Sequence, residues 1–195
     1  MSANPRHYFT LDEYFALEHT GDARYEYWDG DIVCMSGGSP EHSRISSNLH
    51  FQFRLKLMGK KCEAFTGDQA VQNHLPIPPP YFYPDVTVSC GKPDFERVRG
   101  IGILKNPTLL VEVTSPTSED RDKNSKLELY KQIPDLKEYL IVAQNKPEIV
   151  QHIKQSDGKW ITETISGLTA TITLPSIACK LALTDVYENI EFADI

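Results

Sequence analysis

The stretch 108–114 reads Thr-Leu-Leu-Val-Glu-Val-Thr and constrains the fold of this chain more than any other segment. Its apolar residues do not alternate with polar ones, which is typical of a strand covered on both faces of a sheet. Such a strand needs packed layers on both sides of the sheet. Glu112 lies inside this run, and a buried carboxylate needs hydrogen bonds, a cationic partner or a metal ion.

Capping and breaking residues predict the helices. A capping box at Thr10–Glu13 predicts a first helix over 11–19. Ser39 followed by Pro40 predicts the start of the longest helix, which no glycine or proline interrupts before Gly59. A further helix is predicted over 122–133, because the following proline cannot continue it.

The other periodic segments predict strands. Asp29-Gly30 is typical of a tight turn, so the flanking segments 24–28 and 31–35 predict an opening β-hairpin. Further strands are predicted over 62–73, 81–90, 108–114, 139–143, 148–154, 160–165 and 169–174, with a helical turn near 184–187. With no repeat or linker, the pattern predicts one domain over 1–195. It is an α+β fold with a mixed sheet, an N-terminal helix and hairpin, and extra C-terminal strands.

Composition restricts the possible partners. The 195 residues include 40% hydrophobic side chains, as expected for one globular domain. Twenty Lys and Arg against 27 Asp and Glu give a net charge of −7, which excludes a pervasive basic coat that would bind a polyanion by charge alone. There is no signal-peptide pattern and no run of about 18 apolar residues, so we predict a cytoplasmic protein with no membrane partner.

The cysteines and nucleotide motifs give further expectations. The four cysteines are far apart in sequence and form no close pair of the zinc-knuckle or redox type: Cys34, Cys62, Cys90 and Cys179. We therefore predict buried free thiols. No P-loop or dinucleotide fingerprint is present, so we predict no nucleotide cofactor.

Asp85 is the second carboxylate in an unusual position. It lies inside the predicted strand 81–90, on the face opposite Val86 and Val88. A solvent-facing carboxylate is one interpretation. The other is that this strand and 108–114 are neighbours joined by the loop 91–106, so that Asp85 and Glu112 form a hard oxygen site for Mg²⁺ or Mn²⁺.

Lys126 is unusual because helical spacing places it on the inward face of the predicted helix 122–133, together with Asp122 and Tyr130. One interpretation is a snorkelling lysine paired with Asp122. The other is a cation above the two carboxylates, which would position a water nucleophile and stabilise the negative charge on a phosphate.

Four residues form a second tier of candidates: Glu26, His42, Asp122 and Tyr130. Glu26 lies in the hairpin, where it could join the site, pair with Arg24 or face water. His42 begins the apolar stripe of the longest helix, so it is either a core histidine or a support for a metal ligand. Tyr130 is predicted to be a core aromatic residue whose hydroxyl reaches the site.

Taken together, Pro84-Asp85, Glu112 and Lys126 resemble the PD-(D/E)xK nuclease superfamily, which has the restriction-endonuclease-like fold. Thr114 stands where the superfamily pattern has lysine, but some branches carry that lysine on the following helix. Over nearly its whole length the chain is most similar to the Uma2-like family of restriction-endonuclease-like proteins. The matching features are Arg24-Tyr25-Glu26, Asp29-Gly30, His42, Pro84-Asp85, Glu112, Ser115-Pro116-Thr117-Ser118, Asp122, Lys126, Tyr130 and Glu138-Tyr139.

This resemblance implies a restriction-endonuclease-like core and a metal-dependent endonuclease. Asp85, Glu112 and the Val113 backbone carbonyl would hold Mg²⁺ or Mn²⁺, and Lys126 would position the water that cleaves a phosphodiester bond. It also implies nucleic acid, DNA in particular, as partner, and a homodimer by analogy. Two other classes stay open: a catalytically silent relative that binds nucleic acid or protein, and a structural domain in which Asp85, Glu112 and Lys126 are a buried ion-pair network.

Overall fold

The computed structural model describes residues 7–21, 23–35, 38–73, 78–114 and 126–192. Its helices are α1 (Leu11–Thr20), α2 (Pro40–Lys56), α3 (Leu127–Tyr130) and α4 (Leu183–Val186). Its strands are β1 (Arg24–Trp28), β2 (Asp31–Met35), β3 (Cys62–Thr66), β4 (Ala70–Gln72), β5 (Tyr81–Phe82), β6 (Val86–Cys90), β7 (Phe95–Val98), β8 (Ile101–Leu104), β9 (Leu109–Thr114), β10 (Glu138–Ala143), β11 (Glu148–Lys154), β12 (Trp160–Ser166), β13 (Thr171–Leu174) and β14 (Cys179–Ala182).

The described strands form two six-stranded sheets and a separate β13-β14 hairpin. The order is β2-β1-β5-β4-β8-β7 in the first sheet and β12-β11-β10-β9-β6-β3 in the second. In the second sheet β9 pairs antiparallel with β6 and parallel with β10. Every residue of β9 is buried, which confirms the prediction that this strand is covered on both faces.

Different layers cover the two faces of β9. On one face, α2 buries Ile45, Leu49 and Phe53 in the same apolar cluster as Val111 and Val113. Full burial of each such side chain contributes about 1.5 to 3 kcal/mol to stability. On the other face, a second apolar cluster contains Leu110 of β9 with Phe82, Leu127, Tyr130 and Tyr139. Glu112 extends from β9 toward this second layer.

The predicted N-terminal elements are confirmed. Thr10 and Glu13 form both hydrogen bonds of the capping box that begins α1. The β1-β2 hairpin turns at Asp29 and Gly30, and both residues have positive φ, as a two-residue turn of this kind requires. The Ser39 hydroxyl accepts a hydrogen bond from the His42 N–H and caps α2.

Three strand predictions need correction. The segment 62–73 is two strands in different sheets, and 81–90 breaks at Pro84, which cannot donate to a sheet. Asp85 therefore precedes β6 instead of lying inside a strand. The segment 91–106 contains the β7-β8 hairpin, because Arg99 and Gly100 both have positive φ and form its turn.

The C-terminal part agrees with its prediction and adds one strand. The predicted strands 139–143, 148–154, 160–165 and 169–174 correspond to β10, β11, β12 and β13, and α4 lies at the predicted turn. β14 was not predicted, and it pairs antiparallel with β13. The beginning of the helix predicted over 122–133 lies outside the described residues, and within them the helix is α3.

The prediction of four free thiols was wrong. Cys62 of β3 and Cys90 of β6 are directly paired in the sheet and form a disulfide. Antiparallel pairing brings these distant positions to a Cα separation of 4.0 Å, which the spacing of cysteines in a sequence does not show. Cys179 is a buried free thiol as predicted, whereas Cys34 is a free but exposed one.

No helix of the described residues is long and apolar enough to span a membrane.

Candidate active site

Glu112 is the centre of a buried polar group between the two sheets. Its Oε1 atom accepts a hydrogen bond from the Lys126 Nζ atom at 3.0 Å and another from the Tyr130 hydroxyl at 2.8 Å. β9 presents the carboxylate, whereas Lys126 lies immediately before α3 and Tyr130 is at the end of that helix. The structure therefore brings together the glutamate, the lysine and the tyrosine that the sequence selected.

Lys126 connects Glu112 to a second carboxylate. Its Nζ atom lies 2.9 Å from Glu26 Oε1, and the side chain is almost completely buried. The Nζ atom also lies over the Phe82 ring, 5.7 Å from the ring centroid. Hydrogen bonds and ion pairs are stronger in such water-poor surroundings, so the amine is held firmly between the two carboxylates.

Glu26 is a full member of this group. It comes from β1 and is buried, and its Oε1 atom also accepts a hydrogen bond from the Tyr83 N–H at 3.3 Å. The alternatives of a pair with Arg24 or a water-facing side chain were wrong, because Arg24 pairs with Asp68 instead. The contact between Glu26 and Lys126 could not be predicted from their separation along the chain.

Asp85 approaches the site from the break before β6. The pairing of β6 with β9 ends at Val86 opposite Val111, so the next step in register places Asp85 opposite Glu112. Its Oδ2 atom accepts a hydrogen bond from the Val113 N–H at 2.7 Å. Because the N–H and C=O of one strand residue face the same neighbouring strand, we expect the Val113 carbonyl on this side too.

His42 contacts the other oxygen of Asp85. The His42 Nε2 atom lies 3.2 Å from Asp85 Oδ1, and the two side chains are 26% and 15% exposed. α2 positions the imidazole in its first turn, directly after the cap. The histidine therefore supports a candidate ligand, whereas the apolar stripe of α2 begins at Ile45.

Tyr130 is held as a neutral hydrogen-bond donor. Burial raises the pKa of its hydroxyl well above its ordinary value, and the negative charges of Glu112 and Glu26 raise the pKa further. The phenol therefore keeps its proton and donates a hydrogen bond to Glu112. This matches the prediction of a core aromatic residue whose hydroxyl reaches the site.

Two features of the sequence motif lie outside the described residues. Asp122 lies outside the described residues, and so does its predicted pairing with Lys126. The same is true of Ser115-Pro116-Thr117-Ser118. The structure adds two residues that the sequence did not select: Phe82 and Tyr83, which directly precede Pro84-Asp85 and contact Lys126 and Glu26. Their position beside the Pro-Asp motif was the available signal.

The donor atoms around Asp85 and Glu112 are of the kind that hard divalent cations prefer. Two carboxylates and a backbone carbonyl would supply only oxygen ligands, and Mg²⁺ commonly binds one or two carboxylates and keeps several waters. In the described ranges no group of three or more His, Cys, Asp or Glu side chains could hold a metal ion. An oxygen donor set of this kind suits a hard cation that keeps much of its water.

Comparison with known proteins identifies the family. The family model of Uma2, described as "Putative restriction endonuclease", matches residues 11–184. The chain belongs to the Uma2 family. The family predicted from the sequence motifs is thereby confirmed, and the match includes Glu26, Asp85, Glu112 and Lys126.

Relatives of this Uma2 chain occur in Synechocystis sp. The uncharacterized protein slr1290 is 33% identical over 181 residues, which cover 93% of this chain and 92% of the relative. The uncharacterized protein sll1609 is 31% identical over 163 residues, which cover 84% and 90%. These matches extend over nearly the full length of each protein.

A solved structure has the same fold. The crystal structure of a protein from Anabaena variabilis, described as "a putative nuclease belonging to DUF820", superposes with a TM-score of 0.72. It is 20% identical in sequence, and the match covers 92% of this chain and 97% of the other. The mixed α+β fold predicted for the Uma2 chain is thereby confirmed.

Proposed function

We propose that this Uma2 protein is a metal-dependent endonuclease that hydrolyses phosphodiester bonds of nucleic acid, with DNA as the expected substrate. The observation that carries the proposal is the position of Lys126. Its amine lies 3.0 Å from Glu112 Oε1. Asp85 accepts a hydrogen bond from the N–H of Val113, the residue that follows Glu112. Two carboxylates that could hold a cation, beside an amine that could orient water, match the site that the PD-(D/E)xK resemblance implies. The family description agrees with this chemistry.

Asp85, Glu112 and the Val113 carbonyl would hold the divalent cation, Mg²⁺ or Mn²⁺. When bound, such an ion polarises the phosphate and lowers the pKa of a coordinated water toward neutrality. His42 would keep Asp85 oriented through its hydrogen bond to Oδ1, and Tyr130 would do the same for Glu112 through Oε1. These contacts fix both carboxylates before any substrate arrives.

Lys126 would orient the attacking water and stabilise the additional negative charge on the phosphate. The water oxygen forms a new bond to phosphorus and releases a proton to solvent, and the bond from phosphorus to the 3′ oxygen breaks. The leaving 3′ oxygen takes a proton from solvent, so the products carry a 5′-phosphate and a 3′-hydroxyl. Glu26 would position Lys126 through the 2.9 Å contact without touching the phosphate.

A second candidate function is a catalytically silent relative that binds nucleic acid or protein. The burial of Lys126, Glu26 and Glu112 favours it, because a buried ion-pair group can persist for structural reasons alone. The net charge of −7 also limits affinity for nucleic acid. An activity measurement is therefore needed to separate the two functions.

The deciding experiment compares the wild type with Asp85→Asn and with Asp94→Asn, an exposed aspartate of the β6–β7 connection. Each protein is incubated with single-stranded DNA, duplex DNA or RNA in Mg²⁺ or Mn²⁺, and Mn²⁺ binding is measured by calorimetry. We expect the wild type and Asp94→Asn to cleave and bind Mn²⁺. Asp85→Asn should lose about 100-fold or more in cleavage rate.

Two results would contradict the nuclease proposal. Equal cleavage by the wild type and Asp85→Asn would indicate a contaminating enzyme. Binding of nucleic acid without cleavage by any variant would favour the silent relative. The same preparations test the proposed homodimer by sedimentation, since cutting both strands of a duplex is favoured by two copies of a single-site enzyme.

A further inference from the structure

A cavity of about 570 Å³ opens beside the candidate active site. It lies between the end of α1, the β1-β2 hairpin and the turn after β3, and its lining residues are Glu18, Gly21, Ala23, Arg24, Met35, Asp68 and Tyr83. Its volume is within the range of sites that bind small molecules or a single unit of a polymer. None of the roles assigned to Asp85, Glu112 and Lys126 uses it.

Two residues that line the cavity, Arg24 and Tyr83, are also neighbours of Glu26. Arg24 comes two residues before Glu26 on β1, so both side chains lie on the same face, about 7 Å apart along the strand. Tyr83 lines the cavity with its side chain and donates its N–H to Glu26. A molecule in the cavity would therefore contact residues that neighbour Glu26, the partner of Lys126.

Arg24 is the cationic group of this cavity. Its Nη1 atom donates to Asp68 Oδ1 at 2.8 Å and to the Gly67 carbonyl at 3.4 Å, and the guanidinium lies 5.6 Å from the Tyr83 ring centroid. In the part of the chain that the structure describes, both polar contacts use Nη1. A guanidinium has five N–H donors in a planar fork, so Nη2 and Nε can bind an anion.

The two carboxylates of the cavity differ in how firmly they are held. Glu18 accepts hydrogen bonds from the Tyr83 hydroxyl at 2.9 Å and from the Tyr25 N–H at 2.6 Å. Asp68 is 78% exposed and is held by Arg24 alone among the described residues. Exposed ion pairs contribute little free energy, so a phosphate could displace Asp68 from Arg24 at small cost.

We propose that this cavity binds the nucleotide next to the scissile phosphate, with Arg24 holding the phosphate of that nucleotide in place of Asp68. The Tyr83 ring packs against the Arg24 guanidinium, and the Tyr83 hydroxyl donates a hydrogen bond to Glu18. The remaining N–H donors of Arg24 therefore face the cavity. The assignment rests on the proposed nuclease function and adds a substrate subsite to it.

The test measures binding of a fluorescein-labelled 12-nucleotide single-stranded DNA to the full chain by fluorescence anisotropy, in EDTA so that no metal-dependent cleavage occurs. Arg24→Gln should weaken binding about tenfold, as expected for loss of a charged hydrogen-bonding partner. It should also lower the slope of log Kd against log salt concentration by about 0.7. Arg54→Gln, which changes an exposed arginine of α2, should bind like the wild type.

Asp68→Asn is the complementary variant, and it keeps the test valid if Arg24→Gln does not fold. Removing the competing carboxylate should tighten binding about twofold to fivefold. The cavity assignment is wrong if Arg24→Gln and Asp68→Asn both bind like Arg54→Gln, or if no variant binds the oligonucleotide. Folding of each variant is checked by circular dichroism.

The outcome is distinct from that of the nuclease proposal. If Asp85→Asn abolishes cleavage while Arg24→Gln changes neither binding nor cleavage, the nuclease stands and the subsite fails. If no protein cleaves but Arg24→Gln weakens binding and Asp68→Asn tightens it, the cavity binds a nucleotide through Arg24 and the nuclease proposal fails.

Discussion

The Lys126 amine lies 3.0 Å from Glu112 Oε1, and the two side chains are only 5% and 7% exposed. The same amine contacts Glu26, so one cation joins β1, β9 and the segment before α3. A buried charge that loses its partner destabilises a protein strongly, even where the intact pair adds little stability. Stability and the proposed catalysis would therefore both depend on Lys126, and experiments must separate these two effects.

Lys126→Met removes the cation and leaves Glu26 and Glu112 facing each other. We expect the free energy of unfolding to fall by about 3 to 5 kcal/mol, because two buried carboxylates then lose the cation that joins them. Urea unfolding measures this change. Lys131→Met is the matched control. Among the described residues Lys131 pairs with the exposed Glu128, so this change should alter stability by less than about 1 kcal/mol.

The double variant Lys126→Met with Glu26→Gln separates the two contributions of the lysine. Neutralising Glu26 removes the repulsion between the carboxylates, so we expect most of the lost stability to return. Cleavage should stay absent, because no amine remains to orient the water. A stable double variant that cleaves DNA at the wild-type rate would show that Lys126 is structural only.

Tyr130→Phe tests whether the phenol orients Glu112. The change removes the 2.8 Å hydrogen bond to Oε1, so we expect a loss of about 1 to 2 kcal/mol in stability and about tenfold in cleavage rate. Tyr27→Phe is the control, because the Tyr27 hydroxyl also makes a hydrogen bond, to the Phe9 carbonyl, away from the site. It should lose comparable stability and keep full activity. Equal cleavage rates of the two variants would show that the Tyr130 hydroxyl does not contribute to activity.

The disulfide between Cys62 and Cys90 should stabilise the edge of the second sheet. It closes a loop between residues 28 positions apart, and constraint of the unfolded chain predicts a gain of about 3 to 4 kcal/mol. Cys62→Ser should therefore lower the urea midpoint of non-reduced protein, and the reductant dithiothreitol should lower the wild-type midpoint equally. Cys34→Ser changes an exposed free thiol and should have no effect. A midpoint of the wild type that does not respond to dithiothreitol would contradict this prediction.

Local sequence signals predicted much of the fold because they act over few residues. The capping box of α1, the Asp29-Gly30 turn and the Ser39 cap each act within one turn of chain, and all three lie where expected. The β7-β8 hairpin escaped prediction because its turn, Arg99-Gly100, lacks the usual Asn or Asp, and because β7 is largely exposed. Exposed strands show little apolar alternation.

The candidate site was predictable one residue at a time but not as a set of contacts. Glu112 and Lys126 were unusual because charged side chains stood at positions whose pattern required apolar ones. The Glu26 to Lys126 contact depends on the packing of the first sheet against α3, which local pattern does not specify. The Cys62 to Cys90 bond was missed for the same reason, since strand register decides it.

His152 predicts how stability depends on pH. It lies on β11, stacks on Tyr139 and contacts the Thr162 hydroxyl at 2.9 Å. Burial, together with the nearby Lys131 charge, lowers the pKa of its imidazole from an ordinary 6.5 to about 4. Between these values the unfolded chain binds a proton that the folded chain does not, so stability falls as pH falls from about 6.5 to about 4.

His152→Gln removes this titration while its amide can still bond Thr162. We expect the wild type to lose about 1 to 2 kcal/mol more than the variant between pH 7 and pH 4.5, since water relaxes part of the burial penalty. Urea unfolding at several pH values gives the free energy of unfolding of both proteins. Subtracting one from the other cancels the contribution of the carboxylates, which titrate in both. His7→Gln, at an exposed position, should follow the wild type. Parallel pH profiles for the wild type and His152→Gln would show that the imidazole protonates without cost in the folded chain.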